Sequence, residues 1–372
     1  MFTGERNSRS VAGLSPAGIQ NALALASEKQ IPLLIEADGS RRHPLKAPAD
    51  HEPPIPEFID TVVVTVGLSV LGRSLTSEWV HRPEIFSNLS GSPPGSSISL
   101  ETVRRVLCHP SGGLKNIPKG TRRVVLLNQA DTPELRTQAR RLASELLRTY
   151  QAVIVTTLLN HRHMNHEDDP ISLIKIHSPK IHAVYEPIAG IILAAEVSTR
   201  MSKPNLLLPW QGEPLIRHVA RTALQARLSP VLVITGAHGD EIGAALDGIQ
   251  VQIIHNPVWE VGQSTSVRAG LQAIPDETGA AIFLLGDQPQ TAPELVRALI
   301  DAHAQTQSPV IAPLIAGRRG NPVLFDRTVF PALLELSGDA GAHQIFGRYP
   351  PDFVSWEDPD MLLDINTPAD TQ

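Results

Sequence analysis

Five short apolar runs, Gly190 to Ala194, Val231 to Thr235, Val251 to His255, Ala281 to Leu285 and Val310 to Pro313, recur at near-regular spacing in the C-terminal half of the chain. Between them lie segments with helical apolar spacing, near Glu213 to Ala226, Asp240 to Leu246, Ser266 to Gln272 and Ala292 to His303. A continuous apolar run bounded by turn residues reads as a strand buried on both faces. Strands that alternate with helices build a mostly parallel sheet, and ligands are expected at the carboxyl ends of its strands.

The N-terminal half follows the same logic. Ala17 to Ser27 reads as a helix, Ile31 to Ala37 as a buried strand ending at Asp38-Gly39, Thr61 to Val66 and Arg123 to Leu127 as further strands, and Thr132 to Tyr150 as a long amphipathic helix before the strand Ala152 to Thr156. At 372 residues the chain is too long for one ordinary core. The expected fold class is therefore α/β with two doubly wound domains, 1–160 and 188–372. A polar, His-rich linker, 161–187, separates them. Its His161, His163 and His166 sit beside Glu167, Asp168 and Asp169, and solvated linker histidines are a simpler reading than a metal cluster.

Charge and cysteine content narrow the function classes. A net charge of −6 gives no electrostatic case for nucleic acid or an anionic membrane as the main partner. The single cysteine, Cys108, excludes an intramolecular disulfide framework and fits a reducing compartment. No apolar stretch is long enough to span a bilayer and the first residues lack a signal-type apolar region, so cytoplasm is the expected location.

Three constellations follow strands of the C-terminal half. Ala189 to Trp210 reads AGIILAAEVSTRMSKPNLLLPW, a strand running into a small-residue loop whose backbone N–H groups could approach a polyphosphate. Ala281 to Pro289, AIFLLGDQP, sets the carboxylate of Asp287 just past a strand, within reach of Mg2+ on nucleotide phosphates or simply in a turn. Asn256 to Gly270, NPVWEVGQSTSVRAG, offers Gln263, Ser264, Ser266 and Arg268 to an anion, or a well-capped helix with Trp259 in the core.

Together these strings resemble the molybdenum cofactor nucleotidyltransferases, the MobA/MocA-like family, whose loop pattern is LAAGxSxRMGxxKLLLPW. Leu193, Ala194, Ala195, Ser198, Arg200, Met201 and Leu206 to Trp210 match it, while Glu196, Ser202 and Asn205 stand where the family has Gly, Gly and Lys. GRRGNPVLF from Gly317 and GDAGA from Gly338 extend the match on what the family uses as the pterin side, with His343 where Arg is usual. The terminal DINTPAD carries Asn366 where cytidylyl members have Asp. The resemblance implies a Rossmann-like (GT-A-like) nucleotidyltransferase sheet and transfer of CMP from CTP (or GMP from GTP) to a molybdopterin-type cofactor. It implies Asp287 and Arg200 as catalytic, Asp287 and Asn366 as Mg2+ contacts, and Leu193, Ala194, Ala195, Glu196, Ser198, Asn205, Gln263, Ser264, Ser266 and Arg268 around the nucleotide. Placing Glu196 beside a polyanion and removing a cation at Asn205 predicts weakened triphosphate binding. The rival reading is a non-catalytic cofactor-binding or chaperone protein of the same pathway. A sugar-1-phosphate nucleotidyltransferase is disfavoured by LLLPW and GQSTSVRAG.

In the N-terminal half, Leu33 to Pro53 brings Glu36 and Asp38 to a strand end before a loop with Arg41, Arg42 and Lys46. That pattern suits a metal-phosphate site or a Pro-rich surface loop with ordinary salt bridges. EADGSRRHPLKAPADHEPPIP, VTVGLSVLGRSL, VHRPE, CHPSGGLK and LLNQAD resemble the YqeC family, described as accessory to selenium-dependent molybdenum hydroxylases. Such a hydroxylase apoenzyme is the partner this resemblance implies. Family members begin with a GxGGKTT phosphate loop, and the first residues here, MFTGERNSRS, do not contain it. A triphosphate is therefore not expected to find a cradle in this half. Asn128-Gln129-Ala130-Asp131 resembles a base-reading NKxD element with Gln129 in place of Lys.

Overall fold

The computed structural model describes residues 13–158, 179–195, 205–362 and 365. The N-terminal half runs α1 (Pro16–Lys29), β1 (Leu45–Lys46), β2 (Thr61–Gly67), β3 (Val80–His81), α2 (Pro83–Ser90), α3 (Leu100–Leu107), β4 (Arg122–Asn128), α4 (Pro133–Leu146), β5 (Ala152–Thr157) and β6 (Lys180–Tyr185). Its main sheet has the order β2-β4-β5-β6, with β6 antiparallel to β5 and the rest parallel. Local signals set the helices. Ser99 and Thr102 form a capping box at the start of α3, and Thr132 caps α4 ahead of Pro133. Helix α4 buries Ala139, Leu142, Ala143 and Leu146 along one stripe, which packs with Val66, Val125, Leu127, Val153 and Val155 of the sheet.

Two expectations are corrected here. Ile31 to Ala37 is not a strand: α1 ends at Gln30 in a left-handed conformation, and the segment after it has no ladder partner. Ile31 and Leu34 are 58% and 91% exposed. An apolar run becomes a strand only when neighbouring backbone pairs with it, and none does here among the described residues. Residues 180–185, read as linker from the composition around them, form β6 and close the first sheet.

The C-terminal half runs β7 (Ile188–Ala194), β8 (Pro209–Trp210), β9 (Glu213–Pro214), α5 (Leu215–Gln225), β10 (Val231–Thr235), α6 (Gly239–Ala245), β11 (Gln252–His255), α7 (Gln263–Ala273), β12 (Ala280–Leu285), α8 (Pro293–Thr306), β13 (Val310–Ile315), β14 (Arg318–Arg319), β15 (Val323–Asp326), α9 (Phe330–Leu334) and β16 (Asp352–Trp356). All the expected strands and helices of this half are present. The sheet order is β11-β10-β7-β12-β15-β13-β14, with β16 on β13 and β15 antiparallel to both its neighbours. Strand alternation divides the core. Ile192, Val233 and Ile282 face α5, α6 and α8, whereas Ile191, Leu232 and Phe283 face α7 and α9. The sheet is doubly wound, as expected.

Only Glu186 and Pro187 separate β6 from β7, and α8 belongs to both halves. Its Ala304 joins the first core, and Gln307 Nε2 donates to the Val184 carbonyl at 3.3 Å. Asp301 pairs with Arg140 of α4, and Arg227 lies 2.6 Å from Glu145. Burial pushes the Asp301 carboxyl up from 3.8 to about 6, against the opposing pull of Arg140. Because its folded value lies above its unfolded one, Asp301 contributes stability that is fully present below pH 3.8 and is lost as pH rises through about 6. Urea unfolding at pH 5 and pH 7.5 is expected to show this loss, and Asp301→Asn to remove it. An identical pH slope in the variant would place the titration elsewhere.

Candidate active site

In the C-terminal half the carboxyl ends of β7, β10, β11 and β12 converge. Leu193 accepts a hydrogen bond from Gly286 N–H (3.1 Å), so the LAA end of β7 and the GD end of β12 lie side by side. Ala194 and Ala195 are buried. On the other flank of β7, Gly236 approaches so closely that a Cβ there would lie 2.6 Å from the Ala195 carbonyl oxygen and 2.7 Å from the Trp259 ring. Thr235 Oγ1, at the end of β10, is buried with no hydrogen-bond partner among the described residues.

Asp287 is half-buried beside this junction. Its carbonyl accepts from Ile365 N–H (3.1 Å), while the Ile365 carbonyl accepts from Asn205 Nδ2 (3.4 Å). Asn205 is itself 8% exposed and turns its Oδ1 onto Leu206 N–H (3.0 Å). One buried residue near the end of the chain thus ties the two loops that carry the LLLPW and LGDQP strings. Neither Ile365 nor the contact it makes was singled out from sequence.

The third constellation is held in place by a distant loop. Gly262, at φ 127°, starts α7 against residues 338 and 339, and a Cβ there would meet the Gly338 carbonyl at 2.4 Å. Ser264 donates its hydroxyl to the Gly338 carbonyl (2.7 Å), and Gln263 N–H points to Asp339 Oδ1 at 3.5 Å. Ser266 accepts from Asn256 Nδ2 at 3.0 Å, and Arg268 donates to the Leu336 carbonyl at 2.7 Å. Ser264 and Ser266 are 1% and 4% exposed. The Ser264 hydroxyl and the Arg268 guanidinium hold the stretch from Leu336 to Gly338, while Ser266 is held by Asn256. Glu196, Ser198, Arg200 and Asn366 lie outside the described residues.

Among the described residues no three His, Cys, Asp or Glu side chains cluster as a cage for a metal. Mg2+ takes one or two protein oxygens and completes its shell with phosphates and water. Asp287 fits that demand.

In the N-terminal half, Lys46 Nζ lies 2.7 Å from Asp38 Oδ2 and 2.9 Å from Glu52 Oε2, and Arg82 holds Glu52 with two hydrogen bonds of 2.7 and 3.1 Å. Glu36 is exposed. Salt bridges organise this loop, and their centre, Glu52, was not singled out from sequence. The Arg82 guanidinium holds the Glu52 carboxyl down to about 2. Its stabilising contribution is present above the unfolded value of 4.5 and lost as pH falls through about 2. Arg82→Ala removes the two hydrogen bonds of the guanidinium, leaves Glu52 with Lys46 and is expected to cost about 2–4 kcal/mol in urea unfolding. A change below 0.5 kcal/mol would show a merely solvated pair.

A cleft of about 1080 Å³ between the halves is lined by Asp60, Arg123, Gln151 and Gly279. These residues lie at the amino ends of the strands, away from the site described above. No helix among the described residues is long and apolar enough to cross a membrane.

Residues 190–353 match the MobA-like NTP transferase domain family, and residues 1–84 match the YqeC protein family. The chain belongs to the MobA-like NTP transferase family. Its C-terminal half is 29% identical over 191 residues to the nicotine blue oxidoreductase of Paenarthrobacter nicotinovorans, spanning 48% of this chain and 92% of that protein. It is 28% identical over 181 residues to the molybdenum cofactor cytidylyltransferase of Escherichia coli, spanning 48% of this chain and 91% of the relative. The N-terminal half is 40% identical over 123 residues to the YqeC protein of Escherichia coli, spanning 33% of this chain. The match covers about half, 47%, of that YqeC relative. The MobA-like half is a nucleotidyltransferase by family.

Proposed function

We propose that the MobA-like half transfers CMP from CTP to a molybdopterin-type cofactor and releases pyrophosphate, serving a molybdenum hydroxylase, in a chain divided at Glu186–Pro187. The supporting observation is the Ile365 bridge, which brings Asn205 and Asp287 to one side of the β7–β12 junction. Asn205 and Asp287, 82 positions apart in two strings that match the family signature, thereby lie on one side of that junction.

In this reading a terminal phosphate oxygen of the pterin attacks the α-phosphorus of CTP, and the bond to the β-phosphate oxygen breaks. Asp287 and Asn366 would hold Mg2+, which would supply charge neutralisation at the phosphates. The rest of the catalysis is positioning. Backbone groups at the end of β7 line the triphosphate, with Arg200 supplying a cation. The loop anchored by Ser264 and Arg268 borders the acceptor. Asn205 acts by holding Ile365, so the family Lys it replaces is not simply deleted: a buried amide takes its position and ties the chain end down.

Incubation of the full chain with CTP or GTP, Mg2+ and the pterin cofactor is expected to release pyrophosphate with CTP preferred and only when the acceptor is present. Pyrophosphate without acceptor, or none with either nucleotide, would overturn the reading.

A further inference from the structure

A second cleft, of about 630 Å³, opens where α3 and α4 meet the turn between α5 and β10. Four guanidiniums line it, those of Arg104, Arg141, Arg148 and Arg227, against two carboxylates, Glu101 and Glu145. Arg148 precedes β5 by four residues and Arg227 precedes β10 by four, so the cleft lies toward the amino ends of both sheets. The transfer site gathers at carboxyl ends, and so does the Lys46 loop, where the Pro44 carbonyl accepts from Gly67 N–H at the end of β2 (2.8 Å). Nucleotidyl transfer therefore makes no use of these arginines.

Both carboxylates are already engaged. Glu101 accepts from Arg104 through bonds of 2.7 and 2.8 Å and from Arg105 through a third of 2.8 Å. Glu145 accepts from Arg227 at 2.6 Å, and the Ser144 hydroxyl takes the same guanidinium at 2.8 Å. Arg141 and Arg148 are exposed, and their side chains have no hydrogen-bond or ion-pair partner among the described residues. Arg227 reaches in from the second half under strain. It follows the end of α5 at φ 66°, in the left-handed region that glycine usually fills there, and its bonds to α4 hold it.

We propose that this cleft binds a small oligophosphate, a chain of two or three phosphates, with Arg141 and Arg148 as the main contacts. Cations gathered round one cleft repel one another, and a bound polyanion reverses the sign of that contribution. Every cation is Arg rather than Lys, and the planar fork pairs with phosphate oxygens two at a time. Arg104 keeps Nη1 outside its bonds to Glu101, and Arg227 engages α4 through Nη1 alone, so both retain donors for the ligand. Arg141 and Arg148 start seven residues apart, roughly 10 Å along a helix, a span wider than one phosphate. The volume is that of a small-molecule site, and seams between domains are where such sites form. No aromatic ring lines the cleft, so a base would find no stacking partner there. Because Arg227 belongs to the second half and the other three to the first, the bound anion ties the halves together. The inference does not depend on the transfer reaction.

Calorimetric titration of the full chain with tripolyphosphate, in the absence of Mg2+, tests it. The parent is expected to bind at least about tenfold more tightly than the double variant Arg141→Gln, Arg148→Gln, and tripolyphosphate at least about tenfold more tightly than orthophosphate. Both substituted side chains are exposed, so the cores and both polar loops stay as they are. Equal affinity in parent and variant would mean solvated surface charges and would overturn the proposal. Orthophosphate as strong as tripolyphosphate would overturn it too, and so would tighter binding of hexaglutamate, which would assign the cleft to acidic peptides. Hydrogen exchange on the parent gives a reading independent of the variant: tripolyphosphate should slow exchange across 141–149 in one half and 226–229 in the other. Protection confined to 193–195 and 286–288 would place the anion at the transfer site instead and equally sink the idea.

Discussion

Asp287→Asn is expected to lower the rate of nucleotidyl transfer on the order of 10²–10³-fold, with thermal stability within roughly 0.5 kcal/mol of the parent. The asymmetry follows from where the residue sits. Asp287 comes two residues after the end of β12, half-buried at the mouth of the site, and its contact with Ile365 is made by its backbone carbonyl, which Asn retains. The substitution keeps side-chain shape and removes one negative charge from the position proposed to hold the metal. Pyrophosphate release at saturating Mg2+ and CTP, alongside a melting curve, checks it. A parental rate would remove Asp287 from the site. A parental rate constant with a raised Mg2+ requirement would instead confine its role to metal affinity.

The second large effect is expected at Gly262. At φ 127° a side chain is strained, and an added Cβ would stand 2.4 Å from the carbonyl carbon and oxygen of Gly338. Neither neighbour is the end of a flexible side chain, so backbone must move. Gly262→Ala should therefore cost roughly 2–4 kcal/mol in unfolding free energy, or else displace the Gly338 to Gly341 loop. If the loop moves, the loss appears in the KM for the acceptor, with CTP binding largely kept. Urea unfolding together with separate KM values for nucleotide and acceptor separates the two. Unchanged stability with unchanged kinetics would mean that this loop does not border the acceptor.

Much of the C-terminal fold can be read in the chain itself. β7, β10, β12 and β13 are each a nearly unbroken apolar run flanked by helix-spaced segments, and such strands are dictated locally because both faces must be buried. The position of Asp287 at a strand end follows from the same pattern. Pairing does not. Val323–Asp326 is only four residues long, and its place between β12 and β13, antiparallel to both, depends on partners more than ten residues away that no local pattern specifies. Ile31 to Ala37 shows the converse, an apolar run with strand character that forms no strand because no backbone among the described residues pairs with it.

The site divides in the same way. Residue types and loop positions, the small residues after β7 and the carboxylate after β12, are properties of the sequence. The directions in which side chains are used are not. Ser264 and Ser266 were read as ligand donors, yet the first turn of α7 is enclosed on several sides, so their hydroxyls bond to the Gly338 carbonyl and to Asn256. The sequence offers Lys46 to a phosphate and Asp38 to a metal, and folding pairs the two with each other and adds Glu52 to Lys46 and Arg82 to Glu52, the last from 30 residues further on. Ile365 acquires its role only when folding brings it against both Asn205 and Asp287. Sequence determined which segments bury apolar surface and which chemistry follows each strand, because both depend on neighbours along the chain. Tertiary structure decided which polar groups satisfy one another, because a hydrogen bond or ion pair is made with whatever folding brings within about 3 Å, at any separation in sequence.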